Sequence, residues 1–303
     1  MPKIAFLFPG QGAQFVGMAG ALAATLPAAK VLFDRATARL GYDLLEVCVN
    51  GPAERLNTTA VSQPAIFCAS LAALEQLKIT DPAAVEACSG AAGLSLGEYT
   101  ALAFAGALSF DEGLAVVAER GRAMQAAAEA TAGGMVSLIG LDASEVEALV
   151  AEARAAAGGT LVVANLLCPG NTVVSGAAAG LDALAGLAEA RDLRAVRLPV
   201  AGAFHTDLMK PADDALAAAL RGVEVRPPRL PVWSNVDARP HAGPDAIRAA
   251  LVRQVVSPVL WEATVRGLMA AGFDKFYEVG PGRVLAGLLK RVHRKEDVSN
   301  VGA

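Results

Sequence analysis

A five-residue turn, Gly93-Leu94-Ser95-Leu96-Gly97, sets the strongest limit on how this chain folds. A small apolar segment precedes it and a helical pattern follows it. A sharp strand-to-helix turn strains the backbone of its central residue, and glycines on both sides let neighbouring backbone pass without a Cβ clash. The serine hydroxyl then projects at a helix N-terminus, where free N–H groups stabilise a developing oxyanion. Ser95 is therefore a candidate nucleophile, with an ordinary glycine-rich turn as the alternative.

Strand-like and helix-like segments alternate around this turn, which is typical of an α/β fold with a parallel sheet. The apolar runs predict strands at residues 4–8, 85–92, 231–234 and 275–279. The helical patterns lie at residues 18–26, 29–40, 63–77, 98–108, 110–130, 209–220, 247–254, 261–271 and 283–293. These segments together predict a large α/β domain.

The pattern of the chain changes after Gly133-Gly134. Strands are predicted at residues 135–139, 161–165, 172–175 and 195–198, and helices at residues 144–156 and 178–190. This β-α-β-β-α-β order is ferredoxin-like. We therefore predict that residues 1–129 and 200–303 form the large domain and that residues 130–199 form a small ferredoxin-like domain inserted into it.

Composition and charge argue against several classes of function. The formal net charge is −4 and no basic stripe carries interleaved aromatics, so no nucleic acid is expected. No apolar run reaches transmembrane length and the N-terminal run is too short for a signal peptide, so no membrane is expected. Scattered cysteines fit a reducing cytoplasm, which is the predicted location. The four cysteines lie far apart and no histidine has metal-ligand spacing, so no metal is expected. The cationic residues 290–295 are either a solvated helix end or a docking patch for an acidic partner.

A serine nucleophile needs a base, and the chain has three histidines. His293 lies in the cationic segment, and His241 lies beside proline and glycine in a turn that we expect to be exposed. His205 follows an apolar run and Gly202-Ala203-Phe204, near the return from the inserted domain. A loop that leaves a core strand can lie over the carboxyl edge of the sheet, where Ser95 is expected. By elimination, His205 is the candidate base.

The loop Phe8-Pro9-Gly10-Gln11-Gly12-Ala13-Gln14 follows the first predicted strand. Its glycines resemble half of a dinucleotide-binding fingerprint, but Phe15 occupies the position of the third glycine. No ribose-binding acid follows a second strand, so a nucleotide-binding oxidoreductase is disfavoured. We predict instead that this tight loop presents the N–H of Gln11 to Ser95.

Five segments, in this order along the chain, resemble the malonyl-CoA:acyl carrier protein transacylases, the acyltransferase family of fatty acid and polyketide synthesis. They are Phe8-Pro9-Gly10-Gln11-Gly12, Gly93-Leu94-Ser95-Leu96-Gly97-Glu98-Tyr99, Glu119-Arg120-Gly121-Arg122-Ala123-Met124-Gln125, Gly202-Ala203-Phe204-His205 and Glu278-Val279-Gly280-Pro281-Gly282. The resemblance implies a hydrolase-like large domain with a ferredoxin-like insertion. It also implies transfer of a malonyl group from malonyl-CoA to the phosphopantetheine thiol of acyl carrier protein through a malonyl-serine, with no cofactor and no metal.

The resemblance also assigns roles to positions that match the family. Ser95 is then the nucleophile, His205 the base, and the backbone N–H groups of Gln11 and Leu96 the oxyanion hole. Arg120 is implied to hold the malonyl carboxylate, which agrees with the ability of a planar guanidinium to form two charge-assisted bonds with a carboxylate.

Further positions are implied to line or support the site. Those implied to contact substrate are Met124, Phe204, Asn165 and Asn235. Gln254 is implied to support the site, and its backbone carbonyl takes the place of an aspartate behind the histidine. The ring of Phe204 resembles that of malonyl-selective members, and it is expected to crowd a methyl branch on the acyl chain.

Two positions depart from the family pattern, and several functions stay open. Leu94 stands where a histidine is common, and Asn171 where a glutamine is common. The alternatives are an acyltransferase of polyketide synthesis, a serine thioesterase that uses the same site, and a non-catalytic binding module. The expected partners are malonyl-CoA and acyl carrier protein, and the expected state is a monomer.

Overall fold

A computed structural model describes residues 2–302, which form two four-stranded sheets surrounded by helices. The strands are β1 (Ile4–Phe8), β2 (Cys88–Gly93), β3 (Gly133–Ile139), β4 (Leu161–Cys168), β5 (Asn171–Ala177), β6 (Arg194–Arg197), β7 (Lys275–Val279) and β8 (Asp297–Val301). The helices are α1 (Gly20–Thr25), α2 (Pro27–Leu40), α3 (Leu44–Asn50), α4 (Ala53–Leu56), α5 (Thr59–Thr80), α6 (Pro82–Ala87), α7 (Gly97–Phe104), α8 (Phe110–Glu129), α9 (Ala143–Ala157), α10 (Ala178–Ala190), α11 (Lys210–Arg221), α12 (Pro244–Gln254), α13 (Trp261–Ala270) and α14 (Val284–Val292). None of these helices of the described chain is long and apolar enough to cross a membrane.

The first sheet is parallel, with strand order β2-β1-β7-β8. Successive side chains of a strand point to opposite faces. On β1, Phe6 and Phe8 therefore belong to the core cluster that contains α5 and α8, whereas Ala5 and Leu7 belong to a second cluster with Trp261 of α13. Helices thus cover both faces, and the predicted α/β class with a parallel sheet is confirmed.

The second sheet is antiparallel, with strand order β4-β5-β3-β6, as the β-α-β-β-α-β pattern predicts. Its helices α9 and α10 share one apolar core with it. The edge strand β4 is joined to the large domain through the backbone, because Val259 N–H donates to Ala164 O (2.8 Å) and Val259 O accepts from Leu166 N–H (3.0 Å). The boundaries of this unit at residues 130 and 199 stay a prediction.

The structure corrects three of the predicted elements. Residues 231–234 are not a strand: Val232 forms an isolated bridge with Ala91 next to β2. The strand predicted at 85–92 begins at Cys88, because Asp81 caps the short helix α6 that precedes it. Helix α5 begins at Thr59, so Pro64 lies inside the helix instead of opening it.

Four elements, α3, α4, α6 and β8, were absent from the sequence prediction. The helices are four to seven residues long, which is too short for a helical period to be recognised. Strand β8 has few apolar residues, and pairing with β7 rather than its own pattern makes it a strand.

Candidate active site

The nucleophile turn joins β2 to α7 at the carboxyl end of the parallel sheet. Ser95 has a φ of 50°, in the left-handed region that a side chain rarely adopts. A Cβ on Gly93 would collide with the Gly97 carbonyl, and one on Gly97 would collide with the carbonyl oxygen of Phe8 on β1. The two glycines are therefore required by close backbone approach, as the sequence analysis predicted.

His205 is the histidine that contacts Ser95. Its Nε2 lies 3.0 Å from Ser95 Oγ, and its Nδ1 lies 2.8 Å from the backbone oxygen of Gln254. Because a carbonyl oxygen only accepts, Nδ1 carries the proton and donates it to Gln254. Nε2 is then free to accept the proton of the Ser95 hydroxyl, which is the arrangement that a general base needs.

The environment of His205 keeps its ring neutral. Burial and then the positive charge of Arg120 lower the pKa of His205 to about 4, against the smaller opposing effect of the Gln254 carbonyl. A neutral imidazole with a free Nε2 is therefore present across the neutral pH range.

Arg120 extends from α8 to the nucleophile. Its side chain is 1% exposed, and its Nη2 donates to Ser95 Oγ and to Gln254 Oε1, both at 3.1 Å. Its Nη1 donates to Gln63 Oε1 at 2.7 Å, and its Nε lacks a hydrogen-bond partner. No carboxylate among residues 2–302 forms an ion pair with this guanidinium. Arg120 is thus a buried cation beside the nucleophile that is held by neutral groups.

Two backbone amides next to Ser95 are available to an oxyanion. The N–H of Ser95 itself is occupied, because it donates to Asn235 Oδ1 at 2.6 Å. Across the described chain, no protein acceptor is bonded to the N–H of Gln11 or of Leu96. Both residues line the cavity that contains Ser95. The pair can therefore supply the two donors of an oxyanion hole.

A cavity of about 240 Å³ opens at Ser95 between the two sheets. It brings together the predicted residues Gln11, Ser95, Leu96, Arg120, Met124, Asn165, Phe204 and His205. Leu94 and Asn171, the two departures from the family pattern, also line it. Apolar side chains make up most of the remaining wall, so the cavity suits a small acyl group with one anionic end.

The structure places Asn235 differently from the substrate contact that was predicted for it. Asn235 is fully buried behind the nucleophile turn, where its Oδ1 accepts from Ser95 N–H and its Nδ2 donates to Gly93 O (2.7 Å). Both ends of the amide are thus used inside the protein. Asn235 supports the turn and is not in the cavity wall.

Gln254 holds three parts of the site at once. Its backbone oxygen accepts from His205, its Oε1 accepts from Arg120, and its Nε2 donates to Ser95 O at 3.1 Å. Its Nε2 also donates to Glu98 Oε2 at 2.7 Å. The supporting position predicted for Gln254 therefore agrees with its contacts.

Sequence reasoning missed three residues around the site: Gln63, Glu98 and His241. The turn around His241 is exposed, as expected, but the His241 side chain points inward: it is 2% exposed and its Nε2 lies 2.8 Å from Glu98 Oε1. The glycine and proline around His241 indicated a surface turn, and nothing local indicated its partner. Glu98 directly follows Gly97, in the first turn of a helix whose other residues are mostly apolar. A charged residue in that position could have indicated a buried polar contact behind the nucleophile turn.

The four cysteines are all buried and free, and burial raises the pKa of Cys48 and of Cys68. Among residues 2–302 there is no cluster of three or more His, Cys, Asp or Glu side chains that could hold a metal.

Comparison with known proteins places this architecture in a family. The family model described as "Acyl transferase domain" matches residues 5–302. The chain belongs to this acyl transferase family.

Two curated relatives in the acyl transferase family cover nearly all of the chain. It is 43% identical to the mitochondrial malonyl-CoA-acyl carrier protein transacylase of Homo sapiens, over 94% of this chain and 75% of that protein. It is 41% identical to the malonyl CoA-acyl carrier protein transacylase of Bacillus subtilis, over 97% of this chain and 92% of that protein.

Solved structures of acyl transferase family members superpose on it over the whole chain. The malonyl-CoA:acyl carrier protein transacylase of Xanthomonas oryzae has a TM-score of 0.93 at 39% identity, covering 99% of this chain and 95% of that one. A malonyl-transacylase in complex with a type II PKS acyl-carrier protein has a TM-score of 0.92 at 37% identity, covering 99% and 96%. The two-sheet layout is therefore that of the malonyl-CoA-acyl carrier protein transacylases.

Proposed function

We propose that this protein transfers the malonyl group of malonyl-CoA to the phosphopantetheine thiol of acyl carrier protein, in fatty acid biosynthesis. One observation carries the substrate class: a buried guanidinium lies 3.1 Å from the nucleophile oxygen and has no carboxylate partner within the described chain. A carboxylate on the acyl group would supply that partner through two charge-assisted bonds. The names of the relatives support the same substrate and acceptor.

The first half-reaction loads Ser95. The malonyl carboxylate binds Arg120, His205 Nε2 takes the Ser95 hydroxyl proton, and Oγ attacks the thioester carbonyl carbon. The N–H groups of Gln11 and Leu96 stabilise the oxyanion of the tetrahedral intermediate. The C–S bond then breaks, and CoA leaves as a thiol with the proton that His205 returns. The product is malonyl-Ser95.

The second half-reaction runs the same steps toward the carrier. His205 takes the proton of the phosphopantetheine thiol, the sulfur attacks the Ser95 ester, and the same two amides stabilise the oxyanion. The C–O bond breaks, and His205 returns the proton to Ser95 Oγ. Each half-reaction leaves the protein unchanged in oxidation state, so no step calls for a redox cofactor.

Replacing the nucleophile tests this proposal directly. Ser95→Ala removes the attacking oxygen and is expected to abolish covalent loading by malonyl-CoA, which intact-protein mass spectrometry measures as a malonyl adduct. Ser175→Ala is a matched control, because Ser175 is a buried serine on β5 outside the cavity. Loading of the Ser95→Ala protein would overturn the mechanism.

Adding the carrier protein to the same measurement separates the alternatives. Holo acyl carrier protein is expected to remove the adduct and to gain the malonyl group. Loss of the adduct at the same rate with and without carrier protein would indicate hydrolysis by a serine thioesterase. The absence of any adduct on the wild-type protein would indicate a binding module. Preference for a type II polyketide carrier is a second candidate, favoured by the similarity to the transacylase solved with such a carrier.

The cytoplasmic location and the monomeric state stay predictions from the sequence. The selectivity assigned to Phe204 is also a prediction, supported by its position in the cavity wall. A Phe204→Ala variant should gain activity with methylmalonyl-CoA, because the ring no longer occupies the space of the branch.

A further inference from the structure

A buried pair of side chains, Glu98 and His241, lies behind the nucleophile turn, and the proposed mechanism does not use it. Glu98, in the first turn of α7, is fully buried, and His241 comes from the loop before α12. His241 Nε2 lies 2.8 Å from Glu98 Oε1. Burying a carboxylate is costly unless donors satisfy its oxygens, so the pair is held in place by specific contacts.

The other oxygen of Glu98 contacts two supports of the active site. Oε2 accepts from Asn235 N–H at 3.0 Å and from Gln254 Nε2 at 2.7 Å. A carboxylate has no proton to donate, so it selects the NH₂ end of the Gln254 amide. The oxygen end of that amide must then face Arg120. With the two ends exchanged, the amide would point a donor at the guanidinium, which also only donates.

We propose that Glu98, with its carboxylate held by the Nε2–H of His241, is a positioning residue that fixes the amide orientation of Gln254 and thereby aims Arg120 at the acyl carboxylate. This inference rests on the proposed function, because it assigns Arg120 to the malonyl group. Neither Glu98 nor His241 lines the cavity, so both act through Gln254.

A substitution that removes the acceptor tests the inference. Glu98→Met keeps a side chain of similar length but removes the shorter of the two bonds that Gln254 Nε2 donates, and only the 3.1 Å bond to Ser95 O still holds the amide in its orientation. Arg120 should then lose its acceptor in a fraction of the molecules. The ratio of kcat/KM for malonyl-CoA to kcat/KM for acetyl-CoA should fall by about tenfold to a hundredfold, since one unsatisfied buried donor has that effect. Glu98→Gln should retain most of the ratio, because its amide oxygen can face Gln254 while its NH₂ faces His241 Nε2, which accepts once the imidazole proton moves to Nδ1.

Matched variants separate positioning from a loss of stability. Glu278→Met removes another fully buried carboxylate, one that accepts from the amides of Leu285 and Ala286 on α14. This variant should lower the melting temperature. The malonyl-to-acetyl ratio should stay within about twofold of the wild-type ratio, which is the size of effect expected from a substitution with no specific role in the site. His241→Leu should lower the ratio, whereas His241→Gln, which keeps a donor, should not.

A double-mutant cycle completes the test. In a Gln254→Met background, Glu98→Met should leave the ratio unchanged, because the amide through which it acts is gone. An unchanged ratio in both Glu98→Met and His241→Leu, with wild-type protein loading normally, would overturn the inference. If Glu98→Met does not fold, the His241 variants decide. Failure of the wild-type protein to form a malonyl adduct would instead overturn the proposed function.

Discussion

At the scale of single residues, both reacting side chains sit on strained backbone. Ser95 has a φ of 50° and His205 a φ of 62°, and neither is a glycine. Such conformations persist only where surrounding contacts hold them. Asn235 holds the Ser95 N–H, and the Gln254 backbone holds the His205 ring. The contacts that maintain these strained conformations therefore hold Ser95 Oγ and His205 Nε2 within hydrogen-bond distance before any substrate binds.

Arg120 should discriminate between acyl groups by their charge. Arg120→Ala removes the guanidinium, and we expect kcat/KM for malonyl-CoA to fall by about a hundredfold or more, the scale for a lost buried charge pair. Transfer of an acetyl group, which lacks the carboxylate, should fall much less. Steady-state rates with both donors measure the difference, and equal losses would remove Arg120 from carboxylate recognition. Arg122→Ala, two residues along α8 at the surface, is the control.

The pH dependence of loading should follow His205. Its pKa of about 4 means that the base is neutral above that value, so the loading rate should fall only as the pH drops through about 4. The positive charge of Arg120 is one cause of the low pKa of His205, and the carboxylate of a bound malonyl group offsets that charge. The fall in loading rate at acid pH should therefore occur at a higher pH in the complex than in the free enzyme. Rapid-quench loading measures the complex at saturating malonyl-CoA and the free enzyme at limiting malonyl-CoA.

The same pKa also predicts how stability changes with pH. An unfolded histidine has a pKa of about 6.5, so between that value and about 4 the unfolded chain binds more protons than the folded one. His205 therefore makes the fold lose stability as the pH falls through this window. Urea unfolding at pH 7 and pH 5 should show a smaller loss for His205→Gln than for wild type, by about 2 kcal/mol. Equal losses would contradict the low pKa.

At the scale of elements, the nucleophile turn depends on how closely β1, β2 and α7 approach one another. Gly97→Ala would push a methyl group into the Phe8 carbonyl, and we expect it to lower the free energy of unfolding by about 3 kcal/mol or more. The control is Gly186→Ala in the middle of α10, where nothing lies within 4 Å of the added Cβ. That change should raise stability by about 0.5–1 kcal/mol through helix propensity. Urea denaturation measures both, and equal effects would show that the close approach is unimportant.

The elements differ in how far the sequence predicts them. Strand β7 and helix α10 have the predicted bounds, because each carries a complete apolar pattern between clear ends. Residues 231–234 are apolar enough to indicate a strand, yet Pro231 lacks an N–H and the segment forms only isolated bridges, Val232 with Ala91 and Trp233 with Pro240. Strand β8 shows the opposite case, since its pairing with β7 exists only after the fold has formed.

At the scale of the whole molecule, the active site lies between the two sheets. The large domain supplies Ser95, His205 and Arg120, and the second sheet supplies Asn165 and Asn171 to the same cavity. The backbone bonds between β4 and Val259 hold the two sheets together at this point. The relative position of the sheets therefore sets the width of the cavity.

The volume of the cavity at Ser95, about 240 Å³, predicts the order of the reaction. A space of that size holds one small acyl group and the end of one thioester arm, so donor and acceptor must use it in turn. Initial rates against malonyl-CoA at several carrier concentrations should give parallel double-reciprocal lines, as ping-pong kinetics requires. Intersecting lines would indicate that both bind together and would contradict a free malonyl-enzyme.

Local chemistry in the sequence determined the fold class and predicted the candidate nucleophile and the candidate base. The turn around Ser95 needs glycine at two fixed positions, and three histidines left one candidate beside an apolar run. Strand and helix periods are also local, so a parallel-sheet α/β unit and a β-α-β-β-α-β unit could be predicted from them, whereas β8 was not. The family resemblance, and not spacing, gave Arg120 and Gln254 their predicted roles.

Only the tertiary structure decided which groups meet behind the nucleophile. Asn235 is 140 residues from Ser95, and His241 is 143 residues from Glu98, so no local pattern relates them. The burial of a side chain depends on what packs over it, and the glycine and proline around His241 indicate only a turn. The neutral state of His205 likewise follows from burial and from the charge of Arg120, which folding brings together. The residues of the reaction are thus visible along the chain, whereas the contacts that orient them arise from the fold.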